Sequence, residues 1–212
     1  MRRTLLSRGL PLLALAAGLA LLAPAAAADD KEEGFKPLFN GKDFTGFKFV
    51  IGPKESEPGK TFTVTDGVIV VSGKPNGYFY TDKGYKNYVL RFDWKYADPK
   101  GGNSGCLVHI QPPHKTWPKC VEVQGLQSDH GHIFAISGAK GQFTVDKEAQ
   151  KKAIKPGEWN TTEVISRDGE LTAKVNGVEV SKGKGELTEG PIGWQSEGAE
   201  IHFKNIKIKE MK

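Results

Sequence analysis

The 212-residue chain carries 30 Lys and Arg against 25 Asp and Glu, a formal charge of +5 that raises nucleic acid as a partner. Three of the basic residues, Arg2, Arg3 and Arg8, precede the first acidic residue, Asp29, and without them the balance is 27 against 25, a net +2. That excludes a strong polyanion footprint, and two cysteines exclude both a disulfide-stapled scaffold and zinc-finger spacings.

Taken from the N-terminus, Met1–Arg8 is positive, Leu10–Leu22 is apolar, and Ala25–Ala28 supplies small residues ahead of Asp29. That order predicts an export signal over residues 1–28 and a periplasmic or secreted protein. The apolar run is short for a membrane span and contains Pro11, and no later segment is long and apolar enough to cross a bilayer. Residues 29–36 are charged and read as a flexible lead-in; residues 37–212 read as one domain.

From there nearly every apolar segment is short, rich in Val, Ile, Phe, Tyr and Thr, and bounded by Gly, Pro, Asn or Asp. The pattern predicts strands at Phe44–Val50, Thr61–Val64, Val68–Ser72, Tyr78–Thr81, Tyr88–Tyr96, Cys106–Gln111, Val121–Gln124 and Ile133–Ile136. Further strands are predicted at Trp159–Arg167, Leu171–Val175, Val178–Val180, Ile192–Gln195 and Ile201–Ile208, with one short helix within Val145–Ala153. Turn signals stand at Asp66-Gly67, Asn76-Gly77, Asp168-Gly169 and Asn176-Gly177. Many short strands without intervening helices predict an all-β sandwich.

Alternation points to a site. Leu90, Phe92, Trp94 and Tyr96 share one face of their strand; Cys106, Val108 and Ile110 share one face of the next; Val121 and Val123 share one face of the third. If these strands lie in one sheet, Lys95, His109, Glu122 and Gln124 gather on its non-core face. A solvated sheet exterior is the competing reading. Against it stand the residue types, His, Glu, Gln and Lys, and two flanking loops, Asp98–Ser104 and Pro112–Lys119, the second holding His114 and Trp117. The same alternation puts Cys106 and Cys120 on opposite faces, which disfavours a bridge.

Asp129-His130-Gly131-His132 offers two histidines at i, i+2 with a carboxylate, a pattern that suits a divalent metal. The competing reading is a polar turn around Gly131. A serine nucleophile at Ser104 is disfavoured, because all five histidines (109, 114, 130, 132 and 202) follow it and no nucleophile-elbow pattern surrounds it. Gly52 to Lys60 lacks the spacing of a phosphate-binding loop.

Several segments carry a resemblance. Pro37-Leu38-Phe39-Asn40-Gly41-Lys42-Asp43-Phe44-Thr45-Gly46-Phe47 resembles the "LFNGKDLTGW" opening of the 3-keto-disaccharide hydrolase family. Gly102-Asn103-Ser104-Gly105, Val121-Glu122-Val123-Gln124, Gly190–Gly198 and His202-Phe203-Lys204-Asn205-Ile206 follow in the family's order. The resemblance implies an exported concanavalin-A-like jelly-roll sandwich that cleaves glycosides already oxidised at C3. It also implies the chemistry: a base takes the C2 proton, the aglycone leaves C1, and water adds. On that basis Glu122 and His109 are the candidate base and acid. Lys95, or a divalent metal near His130 and Glu122, would stabilise the enolate. Gln124, Asn103 and Gln195 would hydrogen-bond sugar hydroxyls, with Trp117 stacking on a ring. His109 replaces the Arg of the family's "NSGIFLR" run, and Gly125–His132 replaces "ILDN". The alternative function is a non-catalytic carbohydrate-binding module that uses the same concave face.

Overall fold

The computed structural model describes residues 34–52 and 57–212; the export signal, residues 29–33 of the lead-in and residues 53–56 of the Gly52–Lys60 segment lie outside the described residues. In chain order the strands are β1 (Lys36–Pro37), β2 (Phe47–Ile51), β3 (Phe62–Thr65), β4 (Val68–Val71), β5 (Gly77–Thr81), β6 (Tyr88–Tyr96), β7 (Gly105–Val108) and β8 (Cys120–Gln124). They continue as β9 (Ile133–Ile136), β10 (Gly141–Val145), β11 (Asn160–Arg167), β12 (Glu170–Val175), β13 (Val178–Gly185), β14 (Gly193–Ser196) and β15 (Ile201–Glu210). Helix α1 (Pro58–Thr61) is a single turn, and α2 (Lys147–Ala153) starts where Asp146 accepts a hydrogen bond from the Ala149 amide.

Two antiparallel sheets make a jelly-roll sandwich. One is nine-stranded, β10-β13-β12-β11-β6-β15-β4-β3 with β1 added on β15; the other is six-stranded, β2-β5-β14-β7-β8-β9. Lys36, the last lead-in residue, already pairs with Ile208. Among the described residues no helix is long and apolar enough to cross a membrane.

Local chemistry explains the hairpins. Asp66-Gly67, Asp168-Gly169 and Asn176-Gly177 all have positive φ at both residues, as two-residue turns between twisted strands require. Asn76-Gly77 is not such a turn: Gly77 opens β5, where a Cβ would collide with the Val50 carbonyl of the neighbouring strand. Strict alternation in β6 sends Tyr88, Leu90, Phe92, Trp94 and Tyr96 inward. They meet Phe79, Cys106, Val108, Val121, Val123 and Trp194 of the six-stranded sheet, with Phe79 stacked on Trp194 at 5.2 Å. A second, smaller apolar cluster covers part of that sheet's outer face: Tyr78, Tyr80, Leu107, Ile110 and Cys120. The two cysteines thus face opposite ways, and both thiols are free.

The expectation that the Tyr88–Tyr96, Cys106–Gln111 and Val121–Gln124 strands share a sheet is corrected. β6 belongs to the nine-stranded sheet, between β11 and β15, whereas β7 and β8 are neighbours in the other. Period-two alternation reports which face of a strand is buried and says nothing about which sheet owns it.

Candidate functional site on the six-stranded sheet

The outer face of the six-stranded sheet is built from alternate residues of adjacent strands. Pairing sets Gln195 beside Tyr78, Gly105 beside Gln124, and Leu107 and Phe134 on either side of Glu122. Two residues before β7 begins, Asn103 bridges to Glu197, two residues past Gln195 and therefore on the same face. Glu122, Gln195 and Glu197 consequently occupy successive rows.

Gly105 is the floor. A methyl group there would collide with Gln195 Oε1 and Glu122 Oε1 together, so these two side chains converge over it. Ser104 holds the strand in place by donating its hydroxyl to the Gln195 carbonyl at 2.8 Å. Glu122 is only 5% exposed, and burial, reinforced by the Glu197 carboxylate, pushes its pKa up to about 8. Burial raises Glu197 as well, against an opposing hydrogen bond from Asn103. Gln195 is 1% exposed, yet neither its amide nitrogen nor its oxygen has a partner among the described residues; the Tyr78 hydroxyl and Asn103 Oδ1 are in the same condition. Buried polar atoms without partners each cost about 1–3 kcal/mol, and the Gln195 amide beside Glu122 over Gly105 is a place where a polar ligand would supply the missing bonds.

The loop from Pro112 to Lys119 lies over part of this face. His114 Nδ1 hydrogen-bonds the Tyr80 hydroxyl at 2.9 Å, Thr116 approaches Gly52 after β2, and the Trp117 carbonyl accepts from Ser137 Oγ after β9 at 3.0 Å. Anchored to both edges of the sheet, it shelters the apolar cluster around Tyr80 and Leu107.

Of the residues singled out in the sequence, Glu122, Gln124, Gln195 and Asn103 come together, although Gln124 Oε1 is engaged by the Leu126 amide at 2.8 Å. The others do not join them. Lys95 lies on the outer face of the nine-stranded sheet, where β6 pairs it with His202, on the far side of the sandwich from Glu122. His109 has φ 55, a left-handed conformation that reverses the alternation at the end of β7. Its ring enters the core, fully buried, with Nε2 3.1 Å from Ser166 Oγ and Tyr88 beside it, while Ile110 takes the outward position. Burial lowers the pKa of His109 to about 4. The acid–base pairing of Glu122 with His109, and Lys95 as enolate stabiliser, are therefore not what the fold assembles. Trp117 is 40% exposed on its loop, and its backbone carbonyl accepts from Ser137 Oγ.

The Asp129, His130, His132 metal set also separates. His130 is buried in the core, stacked on Trp94 at 3.8 Å, with Nε2 2.8 Å from Thr162 Oγ1. Gly131, at φ 90, turns the chain so that His132 faces out, its Nδ1 3.0 Å from Asp129 Oδ2, and Asp129 is further paired with Lys147. Among the described residues no three His, Cys, Asp or Glu side chains gather as metal ligands. Two members of the site went unmarked in the sequence, Tyr78 and Glu197. Glu197 was legible by the alternation Gln195-Ser196-Glu197, whereas Tyr78 resembled any core aromatic.

Residues 34–209 match the profile of the 3-keto-alpha-glucoside-1,2-lyase-like domain. A comparison with curated proteins found no match. Among solved structures, two proteins of Parabacteroides distasonis, both assigned provisionally as glycosyl hydrolases, are similar. The first has 28% identity and a TM-score of 0.64, covering 86% of this chain and 96% of its own. The second has 25% identity and a TM-score of 0.63, covering 84% and 100%. A β-glucanase of Bacillus licheniformis shares the fold at 10% identity, with a TM-score of 0.54 over 84% of this chain and 97% of its own.

Proposed function

From the premise that the chain belongs to the 3-keto-alpha-glucoside-1,2-lyase-like family, we propose that it is an exported enzyme cleaving glycosides already oxidised to a ketone at C3, with Glu122 and Glu197 moving the protons. The family and the glycosyl-hydrolase relatives support a carbohydrate-acting, hydrolase- or lyase-like function. The finer reading rests on one observation: two sheltered carboxyls of raised pKa flank a buried glutamine whose amide has no partner.

The chemistry asks for such a pair. A ketone at C3 acidifies the C2 proton; a carboxylate removes it, the electrons form C1=C2, and the C1–O bond breaks as the leaving oxygen takes a proton. Addition of water to C1 then completes hydrolysis. Glu122, at about 8, holds its proton at neutral pH and serves as the acid. Glu197, less buried and hydrogen-bonded by Asn103, serves as the base. A more buried carboxyl beside a less buried, hydrogen-bonded one is a common way to place acid and base in one site. The Gln195 amide and Tyr78 hydroxyl donate to the oxygen on which enolate charge develops. Asn103 and Gln124 stand at the rim for sugar hydroxyls.

The direct test is incubation of the protein with 3-keto-trehalose or a 3-keto-glucoside while the released sugar is measured. Turnover is expected, with kcat/KM falling above about pH 8 as Glu122 loses its proton. Saturable sugar binding without release at any pH would replace this reading with the carbohydrate-binding module.

A further inference from the structure

The outer face of the six-stranded sheet is closed off by the chain itself. Tyr78 and Leu107 are wholly buried there, and Gln195 and Glu122 nearly so, although an outer sheet face is commonly solvated. No ligand of several carbon atoms touches these side chains while their cover stays in place. The Pro112–Lys119 loop is anchored on Tyr80 of β5, against Gly52 after β2 and on Ser137 after β9. It therefore crosses β14, β7 and β8, the strands that carry Gln195, Leu107 and Glu122. The neck of the loop is firm: the Gln111 amide donates to the Lys119 carbonyl at 2.9 Å, Gln111 Nε2 donates to the Glu189 carbonyl at 2.8 Å, and Lys119 pairs with Glu186 at 2.8 Å. The tip is held lightly, by two side-chain hydrogen bonds and the Thr116 contact. Within the loop only Pro118 is buried, and a segment that buries so little of itself opens far more readily than the fold unfolds. Prolines at 112, 113 and 118 restrict bending inside it, so it moves as one flap on its neck.

We propose that the Pro112–Lys119 loop is a lid: closed in this structure, it seals the face that carries Glu122 and Gln195, and it lifts on its Gln111–Lys119 neck to admit and release the ligand. The inference goes beyond the keto-glycoside reading and holds for any ligand of that face. The two free thiols stand on either side of the sheet beneath it. Cys120 lies under the lid in the outer cluster with Tyr78, Tyr80 and Leu107, whereas Cys106 lies in the inner core. Lifting the lid uncovers the first, and only unfolding uncovers the second.

Labelling of the full chain with N-ethylmaleimide, read cysteine by cysteine by mass spectrometry, follows both thiols at once. In urea below the unfolding transition Cys120 should label at least about tenfold faster than Cys106, at a rate that urea hardly changes, because a local opening exposes little surface. Cys106 should follow global unfolding. Equal rates with one urea dependence overturn the lid. A second arm fastens it: Thr116→Cys puts a sulfur near where Oγ1 stands, 3.3 Å from a Cβ at residue 52, within reach of Gly52→Cys. With that bridge formed, Cys120 labelling should fall about tenfold or more and turnover of 3-keto-trehalose should stop, and reduction should restore both. Labelling or turnover unchanged by the bridge overturns the lid. Labelling that the bridge gates, in a protein that turns over no keto-glycoside even when reduced, upholds the lid and removes the keto-glycoside reading alone.

Discussion

His130 and Glu122 are both buried and ionisable, one on β8 and the other between β8 and β9, yet they lie on opposite sides of the six-stranded sheet in opposite conditions. His130 sits on Trp94, and a chain of bonds runs through Thr162: the Trp94 indole donates to its Oγ1 at 2.9 Å, and the hydroxyl in turn meets His130 Nε2. The other ring nitrogen points at the Gly125 carbonyl, and Gln150 donates to the carbonyl of His130. Glu122 faces Gln195, which has spare donors and acceptors and no partner for them. A satisfied network rigidifies a core, whereas an unsatisfied one is held open at a cost to stability. The contrast sets a histidine whose ring bonds are met within the core apart from a carboxyl that faces unmet polar groups, where residue type alone does not.

The largest expected difference between the two sides is catalytic. Glu122→Gln should lower turnover of a 3-keto-glycoside by about 10²–10⁴-fold, as for loss of a general acid, with sugar binding by calorimetry retained; a rate within threefold of wild type breaks the assignment. On the inner side, His130→Ala leaves a hole under Trp94 and takes from the Thr162 hydroxyl its histidine partner, so urea unfolding should show a loss of about 2–4 kcal/mol at an unchanged m-value. Acid should expose the same side. His130 and His109 are held neutral to about 3 and 4, below the ordinary 6.5, so the unfolded chain binds protons first and stability declines as pH falls from 6.5 towards 4. Urea midpoints at pH 7, 5.5 and 4.5 measure the slope, and His130→Gln should flatten it.

The smallest effect has the opposite sign. Glu122 is raised from 4.5 to about 8, so its contribution to stability is complete below 4.5 and is lost as pH rises through 8. Glu122→Gln should therefore stabilise the fold at pH 8, on the order of 2 kcal/mol, and the gain should vanish near pH 4.5. A variant equally stable or weaker at pH 8 would mean that the carboxyl is better solvated than its burial indicates.

The fold was largely legible because hairpin chemistry is local. Asp168-Gly169 and Asn176-Gly177 announce their turns whatever surrounds them, and alternation across β6 identified four inward side chains, Leu90, Phe92, Trp94 and Tyr96. What escaped was long-range or conformational. That β6 and β7 belong to different sheets is settled by pairing with β11, nearly 70 residues on in the case of Trp94 and Asn160, and this removed Lys95 from the site. A single positive φ at His109 turned an outward histidine inward, and no spacing rule reports it. Gly131 did the same between His130 and His132, so a two-residue period that predicts a shared face fails across it. Glu122 and Gln124 share the outer face because β8 keeps its alternation, and β7 between β8 and β14 brings Gln195 onto the same face.

The absence of a side chain at Gly105 carries a practical meaning. The position is buried at the start of β7 and owes nothing to unusual φ; what it provides is a volume of one methyl group. Alanine there would occupy the space that Glu122 and Gln195 share, while leaving the sheet, the hairpins and the aromatic core their own contacts. If the proposed chemistry runs over Gly105, architecture and activity are separable by one carbon atom: the same scaffold with that space filled would serve as an inert twin against which the open form can be measured.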